Sequence, residues 1–338
     1  MNVNKAKKKE KKELIRSEVN LIKYPFYTLD HNRFKRIKSE YVEVKNGKTI
    51  IKSWEIAPEI KMGLPTIFDM KVFRIIEMHI YKNFMEKGKI INPLDIGSIY
   101  QICKILEIEH YRSNRKFIKE AIERLAFTSF KTKNTFYSKK GRTLLTQSIF
   151  HLFDHIFEGE ELKDGRIADS NYIYVAPLYK NSIENHYFKL LDFSYIKSLN
   201  SGIAIRLYEV LGIKFYGINK KNFDFIKYRY EKLCKILPVK EQKYLSDIKR
   251  QLIPALKELK GTKFLEKYVL EKKGNKVFIK FYPGVKYFDE IKLNDAPKKK
   301  VSAELKKIKE ILKEKEDDNK FRPIPESFKK QIKEILKE

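Results

Sequence analysis

The chain has 338 residues, 42% of them apolar, and 73 Lys and Arg stand against 44 Asp and Glu for a formal net charge of +29. That length and apolar content support two or three domain cores and exclude a globally disordered chain. The longest charge-free stretches, such as Thr143–Phe153, fall well short of the roughly 18 apolar residues of a membrane span, which excludes an integral membrane protein.

Residues 1–20 carry +4 and residues 292–338 carry +5, so +20 belongs to residues 21–291. An excess of that size on the folded part points to a polyanion such as nucleic acid. A lysine-rich proteome is the competing explanation. Leu14-Ile15 is followed at once by Arg16, so the basic start has no apolar segment and is not read as a secretory signal. Cys103 and Cys234, far apart and each on an apolar helical face, suit buried thiols of a reducing cytoplasm and exclude a cysteine-based metal site.

In chain order, residues 1–20 read as a flexible basic arm and Asn20–Phe26 as an extended segment. Tyr41–Lys45 and Thr49–Ile56 alternate apolar and polar residues around Asn46-Gly47, the preferred pair of a two-residue hairpin turn. Gly47-Lys48-Thr49 resembles the end of a phosphate-binding loop. The first glycine of that motif is Val42 here and a hairpin replaces the helix, so nucleotide binding is rejected. From Asp69 the period becomes helical, with Val72, Ile75, Ile76 and Ile80 on one face, then Ile99, Ile102, Cys103 and Leu106 on another. Asn114–Leu125 forms a third helix, with Ile118, Ala121, Ile122 and Leu125 inward and Arg112, Arg115, Lys116 and Lys119 outward. Strand-like runs Phe127–Lys131 and Leu144–Phe157 follow, joined through Lys139-Lys140-Gly141-Arg142. Three helices and a basic-tipped hairpin are the order of a winged helix, whose third helix enters the major groove.

The order returns. Ser194–Phe215 is predicted helical, Asn222–Ile226 a short strand, Tyr230–Leu237 a helix closed by Pro238, and Tyr244–Leu259 a longer helix. Leu245, Ile248, Leu252, Ala255, Leu256 and Leu259 face in, while Lys243, Asp247, Lys249, Arg250 and Lys257 face out. Pro254 should kink this helix. Phe264–Leu270 and Lys276–Tyr282 flank Glu271-Lys272-Lys273-Gly274-Asn275, a second basic-tipped hairpin. The fold class is therefore α+β: a basic arm (1–20), a winged-helix domain with a leading hairpin (21–192), a second winged-helix domain (193–291), and a linker with an amphipathic helical tail (292–338).

A catalytic centre does not emerge. No His-x-His pair of a metal-dependent nickase and no Asp-x-Asp pair of a polymerase or primase occurs. His151 and His155 are read as structural, Glu158–Glu161 as a solvated turn, and Tyr228-Arg229-Tyr230 as core filling. No enzyme activity, cofactor or metal is expected. Arginine pairs with guanine and asparagine with adenine in bidentate fashion. Arg112, Asn114 and Arg115 are thus candidate base readers, beside Ser113, with Lys116, Lys119 and the first tip (Lys139, Lys140, Arg142) toward phosphate. In the second helix Ser246, Lys249 and Arg250 are the candidate readers, with Lys243, Lys272, Lys273 and Lys276 toward phosphate.

Several segments, in order, resemble the bacterial plasmid replication initiator protein A family. They are Asn20–Leu29, Gly63-Leu64-Pro65-Thr66 with Asp69, Tyr111–Arg115 leading to Ile122-Glu123-Arg124-Leu125, and Ser201–Tyr208. Leu233-Cys234 to Leu237-Pro238, Tyr244-Leu245-Ser246 and Gln251–Leu256 continue the series. The resemblance spans residues 20–265, marks 111–125 and 244–259 as the recognition helices, and accommodates Pro254; the C-terminal tail lies outside it. It implies a non-enzymatic, cytoplasmic initiator of theta-type replication. Such a protein binds repeated double-stranded origin sites, helps open an AT-rich segment, and recruits host replication proteins such as the replicative helicase or initiator. A transcriptional repressor on the same fold and, further off, a primase or nickase stay open as alternatives, as does a homodimer.

Overall fold

Thr66 begins the longest helix, α2 (Ile67–Lys87), through a capping box: Asp69 N donates to Thr66 Oγ1 while Thr66 N donates to Asp69 Oδ2 at 2.6 Å. Gly88, in the left-handed conformation at φ 68°, ends it. The computed structural model describes residues 13–30, 32–45, 47–136, 147–161, 165–219 and 224–292. The described residues up to Tyr287 form one compact unit, to which Phe288–Lys292 do not belong.

The first half is built on α2, α3 (Ile99–Leu106, boxed by Ser98 and Gln101) and α4 (Arg112–Phe127). A four-stranded antiparallel sheet holds β2 (Ile37–Lys45), β3 (Lys48–Ala57), β5 (Ser129–Lys133) and β6 (Ser148–Phe150) in the order β2-β3-β5-β6. The leading hairpin and the hairpin after α4 are thus one sheet, because Ile56 pairs with Phe130. Trp54 sits in its buried face, donating its indole N–H to Pro25 O at 2.7 Å and stacking on Tyr24 at 5.0 Å. The large aromatic payload of the sequence goes here.

The expected strand from Leu144 to Phe157 divides. After β6 the chain turns at Leu152, and β7 (Phe153–Ile156) joins a separate sheet, β4-β8-β7, with β4 (Leu94–Asp95) and β8 (Tyr172–Val175). The arm expected through residue 20 also needs correction. Leu14–Glu18 is strand β1, paired with β9 (Phe188–Asp192), and Ile15, Ser17 and Glu18 are buried. The segment expected to be extended contains instead a short helix, α1 (Val19–Lys23), whose first turn is capped where Leu21 N donates to the Glu18 carboxylate at 2.9 Å. Residues 1–12, Asn46, the tip Lys139–Arg142 and the tail from residue 293 lie outside the described residues.

The second half follows α5 (Pro177–Glu184) and β9. The single expected helix over Ser194–Phe215 is two: α6 (Phe193–Ser198) and α7 (Gly202–Asn219). The break lets Ser201 cap α7, with Ala204 N donating to Ser201 Oγ at 3.3 Å. Of the short strand expected over Asn222–Ile226, Asn222 and Phe223 lie outside the described residues, and the described strand is β10 (Ile226–Arg229), followed by α8 (Tyr230–Ile236) and α9 (Leu245–Gly261). Helix α9 continues through Pro254, which is exposed, and Leu245 at its start is only half-buried. The sheet β10-β12-β11 closes this half, with β11 (Leu265–Lys273) and β12 (Lys276–Pro283) as its hairpin.

The two halves repeat one plan. Four buried apolar residues of α4 pair off in order with four of α9 at one constant spacing: Ile118 with Leu252, Ala121 with Ala255, Ile122 with Leu256, Leu125 with Leu259. Helix α4 packs on α2 and α9 packs on α7. The repeat breaks at the strand between the first two helices: β10 joins the hairpin sheet, whereas β4 pairs with β8.

Candidate nucleic-acid interface

Burying Ile118, Ala121, Ile122 and Leu125 turns the opposite side of α4 to solvent. Arg112, Ser113, Arg115, Lys116 and Lys119 are all exposed there. No acidic residue lies in the first turn, and Tyr111 at the N-cap makes no side-chain capping bond, so the backbone N–H groups of that turn add positive potential to the arginines. Helix α4 forms one wall of an open groove. Ser98, Ile99, Tyr100 and His110 line it as well, together with Glu120 and Glu123 of α4 and Glu158. Lys116 reaches Glu120 at 3.8 Å and Lys119 lies 5.3 Å from the Phe157 ring centre, whereas Arg112 and Arg115 form no ion pair among the described residues.

Asn114 is placed differently from its neighbours. It is half-buried, and its Nδ2 donates to Glu109 O at 2.7 Å, clamping the α3–α4 loop. Its donor is used locally, so a bidentate contact with adenine would require that bond to break. Tyr100 and His110 escaped the sequence reading. Their rings meet edge to face at 5.3 Å beside the arginines, and the available signal was an aromatic at an outward position of the α3 stripe.

Lys243, just before α9, and Ser246, Lys249 and Arg250 on it are likewise exposed, but Arg250 donates to Asp247 at 3.0 Å. The β11–β12 hairpin adds Lys272, Lys273 and Lys276. Lys273 and Lys276 face each other across the two-residue turn at Gly274, whose φ of +56° is a conformation glycine adopts without strain. Like charges directly opposed on a hairpin are unfavourable unless an anion screens them. Lower down, the same sheet is neutralised. Lys280 pairs with Glu271 at 2.5 Å and Lys227 with Glu271 at 3.5 Å, and the bond from Lys280 lowers the Glu271 pKa. The uncompensated charge is therefore concentrated at the tip. The first tip, Lys139, Lys140 and Arg142, lies outside the described residues.

The remaining chemistry-bearing residues are structural in placement. Cys103 and Cys234 are free and buried, and burial pushes the Cys234 thiol up to about 11. His155 packs edge to face on Phe157 at 3.9 Å, and burial lowers its pKa to about 4. Tyr230 is buried, donating to Gln251 at 2.7 Å. Among the described residues no group of three His, Cys, Asp or Glu could hold a metal ion, and no helix is long and apolar enough to cross a membrane.

The family model for replication initiator protein A matches residues 16–227. The chain belongs to the replication initiator protein A family. The matched span runs from within β1 to the middle of β10 and includes α4 and its groove, while α9 and its hairpin lie beyond it. Two crystal structures of domains 2 and 3 of RctB are also similar. One, of selenomethionine derivatives, has a TM-score of 0.47 and 15% identity over 80% of this chain and 99% of that chain. The other has a TM-score of 0.37 and 17% identity over 76% and 95%. No curated protein sequence matches the chain.

Proposed function

We propose that this replication initiator is a sequence-specific binder of double-stranded DNA whose halves, 21–192 and 193–291, are two winged helices reading repeated sites at a plasmid origin. The observation that carries this reading is the repeated placement of an exposed basic face: Arg112, Arg115, Lys116 and Lys119 on the third helix of one half, Lys249 and Arg250 on that of the other. Third helices of this kind enter successive major grooves about 34 Å apart along one face of the duplex. Arg112, Arg115 and Arg250 read bases, and the lysines of α4 and of the β11–β12 tip hold phosphate. Flexible AT-rich steps next to the site deform cheaply, so binding energy promotes strand opening without a nucleotide site, and host replication proteins are recruited to the opened segment. The protein acts as a non-enzymatic initiator.

The test is binding of the full chain to duplex fragments tiled across the replicon that encodes it, over a salt series with competitor DNA. One repeat-containing fragment beside an AT-rich tract should dominate. With six to ten phosphates neutralised, its affinity should fall by about 10³ to 10⁵ between 50 and 200 mM salt. Equal weak binding to all fragments, or a flat salt response, would overturn the reading.

A further inference from the structure

Helices α2 and α7, which correspond in the repeat, carry the same buried pair: Arg74 and Glu77 on α2, Arg206 and Glu209 on α7. All four side chains are buried, and within each helix the pair bonds directly, Arg74 to Glu77 at 2.5 Å and Arg206 to Glu209 at 3.1 Å. Each carboxylate also accepts a buried tyrosine hydroxyl, Glu77 from Tyr179 at 2.8 Å and Glu209 from Tyr27 at 3.0 Å.

The two pairs differ in where their other bonds go. Glu77 accepts further from Ser17 Oγ at 3.0 Å and Glu18 N at 3.2 Å, so all its partners precede residue 193. Glu209 is reached across the junction, by Tyr27 and by Arg74 Nη2 at 2.5 Å. Arg206 crosses in return, donating to Ile22 O at 2.8 Å while also holding Ile236 O at 3.1 Å. Burial works against the Arg74 charge, and Glu77 and Glu209 together outweigh it. The junction is also closed tightly at Gly202, where an added Cβ would collide with Ile67 at the start of α2.

Apolar contacts are non-directional, whereas charges buried in directional bonds favour one geometry, and breaking those bonds strands a charge away from water. We propose that the Arg74–Glu209 bridge, with Tyr27 and Ile22, is a spacing lock. It fixes α2 against α7 and hence α4 against α9, and so sets the separation of the two DNA segments that the protein accepts. This inference rests on the two-helix DNA reading above. Arg74, Arg206 and Glu209 are in it positioning residues that touch no DNA.

Glu77→Gln and Glu209→Gln form a matched comparison, since both neutralise a buried carboxylate that holds an arginine and a tyrosine, and only Glu209 bridges the halves. Spin labels on F127C and K260C, exposed near the ends of α4 and α9, report the separation of the halves without DNA, and duplexes with about half a turn (roughly 5 base pairs) inserted between the contacted segments report spacing tolerance. Wild type and Glu77→Gln should give one narrow distance distribution and bind the lengthened site about 30-fold or more worse. Glu209→Gln should give a broadened distribution and lose most of that discrimination. If Glu209→Gln fails to fold, Arg74→Lys takes its place under the same criteria, because an ammonium cannot span two carboxylates as a guanidinium does. A distribution for the Glu209 or Arg74 variant as narrow as that of Glu77→Gln, or spacing discrimination retained by it, would overturn the lock. Absence of any preferred duplex for wild type would sink the DNA reading instead, while the label distances still decide whether the bridge holds the halves.

Discussion

Arg124 in α4 and Glu258 in α9 occupy equivalent places in the repeat, one residue before Leu125 and Leu259, and carry opposite charges. Each ties the third helix of its half to the start of the first. Arg124 Nη1 reaches both oxygens of Asp69 at 2.7 Å and its Nε donates to Met62 O at 3.1 Å, so it holds the α2 cap through another side chain. Glu258 accepts Asn200 N at 2.7 Å and Ser201 N at 3.0 Å, and so binds the backbone entering α7 directly. The shared requirement is the unsatisfied N–H groups of a helix start. Because it is met once by an acid held by a base and once by the acid itself, the repeat survives in geometry while residue identity is lost.

The largest effect should come from breaking the buried version. Arg124→Ala leaves Asp69, whose pKa burial already raises against the pull of Arg124, without its cation, and should cost about 3–5 kcal/mol in denaturant unfolding. Glu258→Ala, at a more exposed bond to two backbone donors, should cost about 1–2 kcal/mol. Equal losses would mean that the two contacts are energetically alike despite their different burial.

The halves should also differ in pH response. Burial, opposed by bonds from Ser182 and Leu21 and aided by the nearby Glu77 charge, raises Glu18 in β1 from 4.5 to about 7. The folded protein then holds a proton that the unfolded chain releases, so this residue makes stability fall as pH rises from about 4.5 to 7 and level off above that. Unfolding free energy measured from pH 5 to 8 should carry that downward contribution in wild type and lose it in Glu18→Gln, a difference in slope on the order of 1–3 kcal/mol across the window. Parallel slopes would place the Glu18 pKa near its ordinary value.

The smallest effects sharpen the comparison of α4 with α9. Arg115→Ala should weaken cognate duplex binding by about 1–3 kcal/mol, with loss of preference for the cognate fragment. Asp247→Asn frees Arg250 from its ion pair and should tighten binding several-fold at low salt, with less gain as salt screens it. Loss confined to non-cognate DNA in the first case would make Arg115 a phosphate contact.

The sequence made local features legible. Asn46-Gly47 marked the β2–β3 hairpin, and the apolar stripe of α4 put Arg112, Arg115, Lys116 and Lys119 outward because a helix with one buried face has one exposed face. Pairings between distant segments carried no such mark. Leu14 meets Asp192 and Leu94 meets Ile173 through backbone bonds that any side chain permits. Arg74 and Arg206 were hidden for another reason. Charges inside an apolar run read as breaks in the stripe, and only the tertiary partners Glu209, Ile22 and Ile236 make them buried. Asn114 looked like a base reader because its use by Glu109 O depends on a loop conformation that spacing does not encode.

The pairing of β1 with β9 has a consequence for biosynthesis. Strand β1 leaves the ribosome well before the strand that completes it, Phe188–Asp192, which ends at the boundary of the second half. At ordinary elongation rates of about 5–20 residues per second, β1 waits on the order of ten to thirty seconds for its mate. The sheet of β1 and β9 therefore cannot close until Phe188–Asp192 has emerged, whereas the β2-β3-β5-β6 sheet is made wholly from earlier residues.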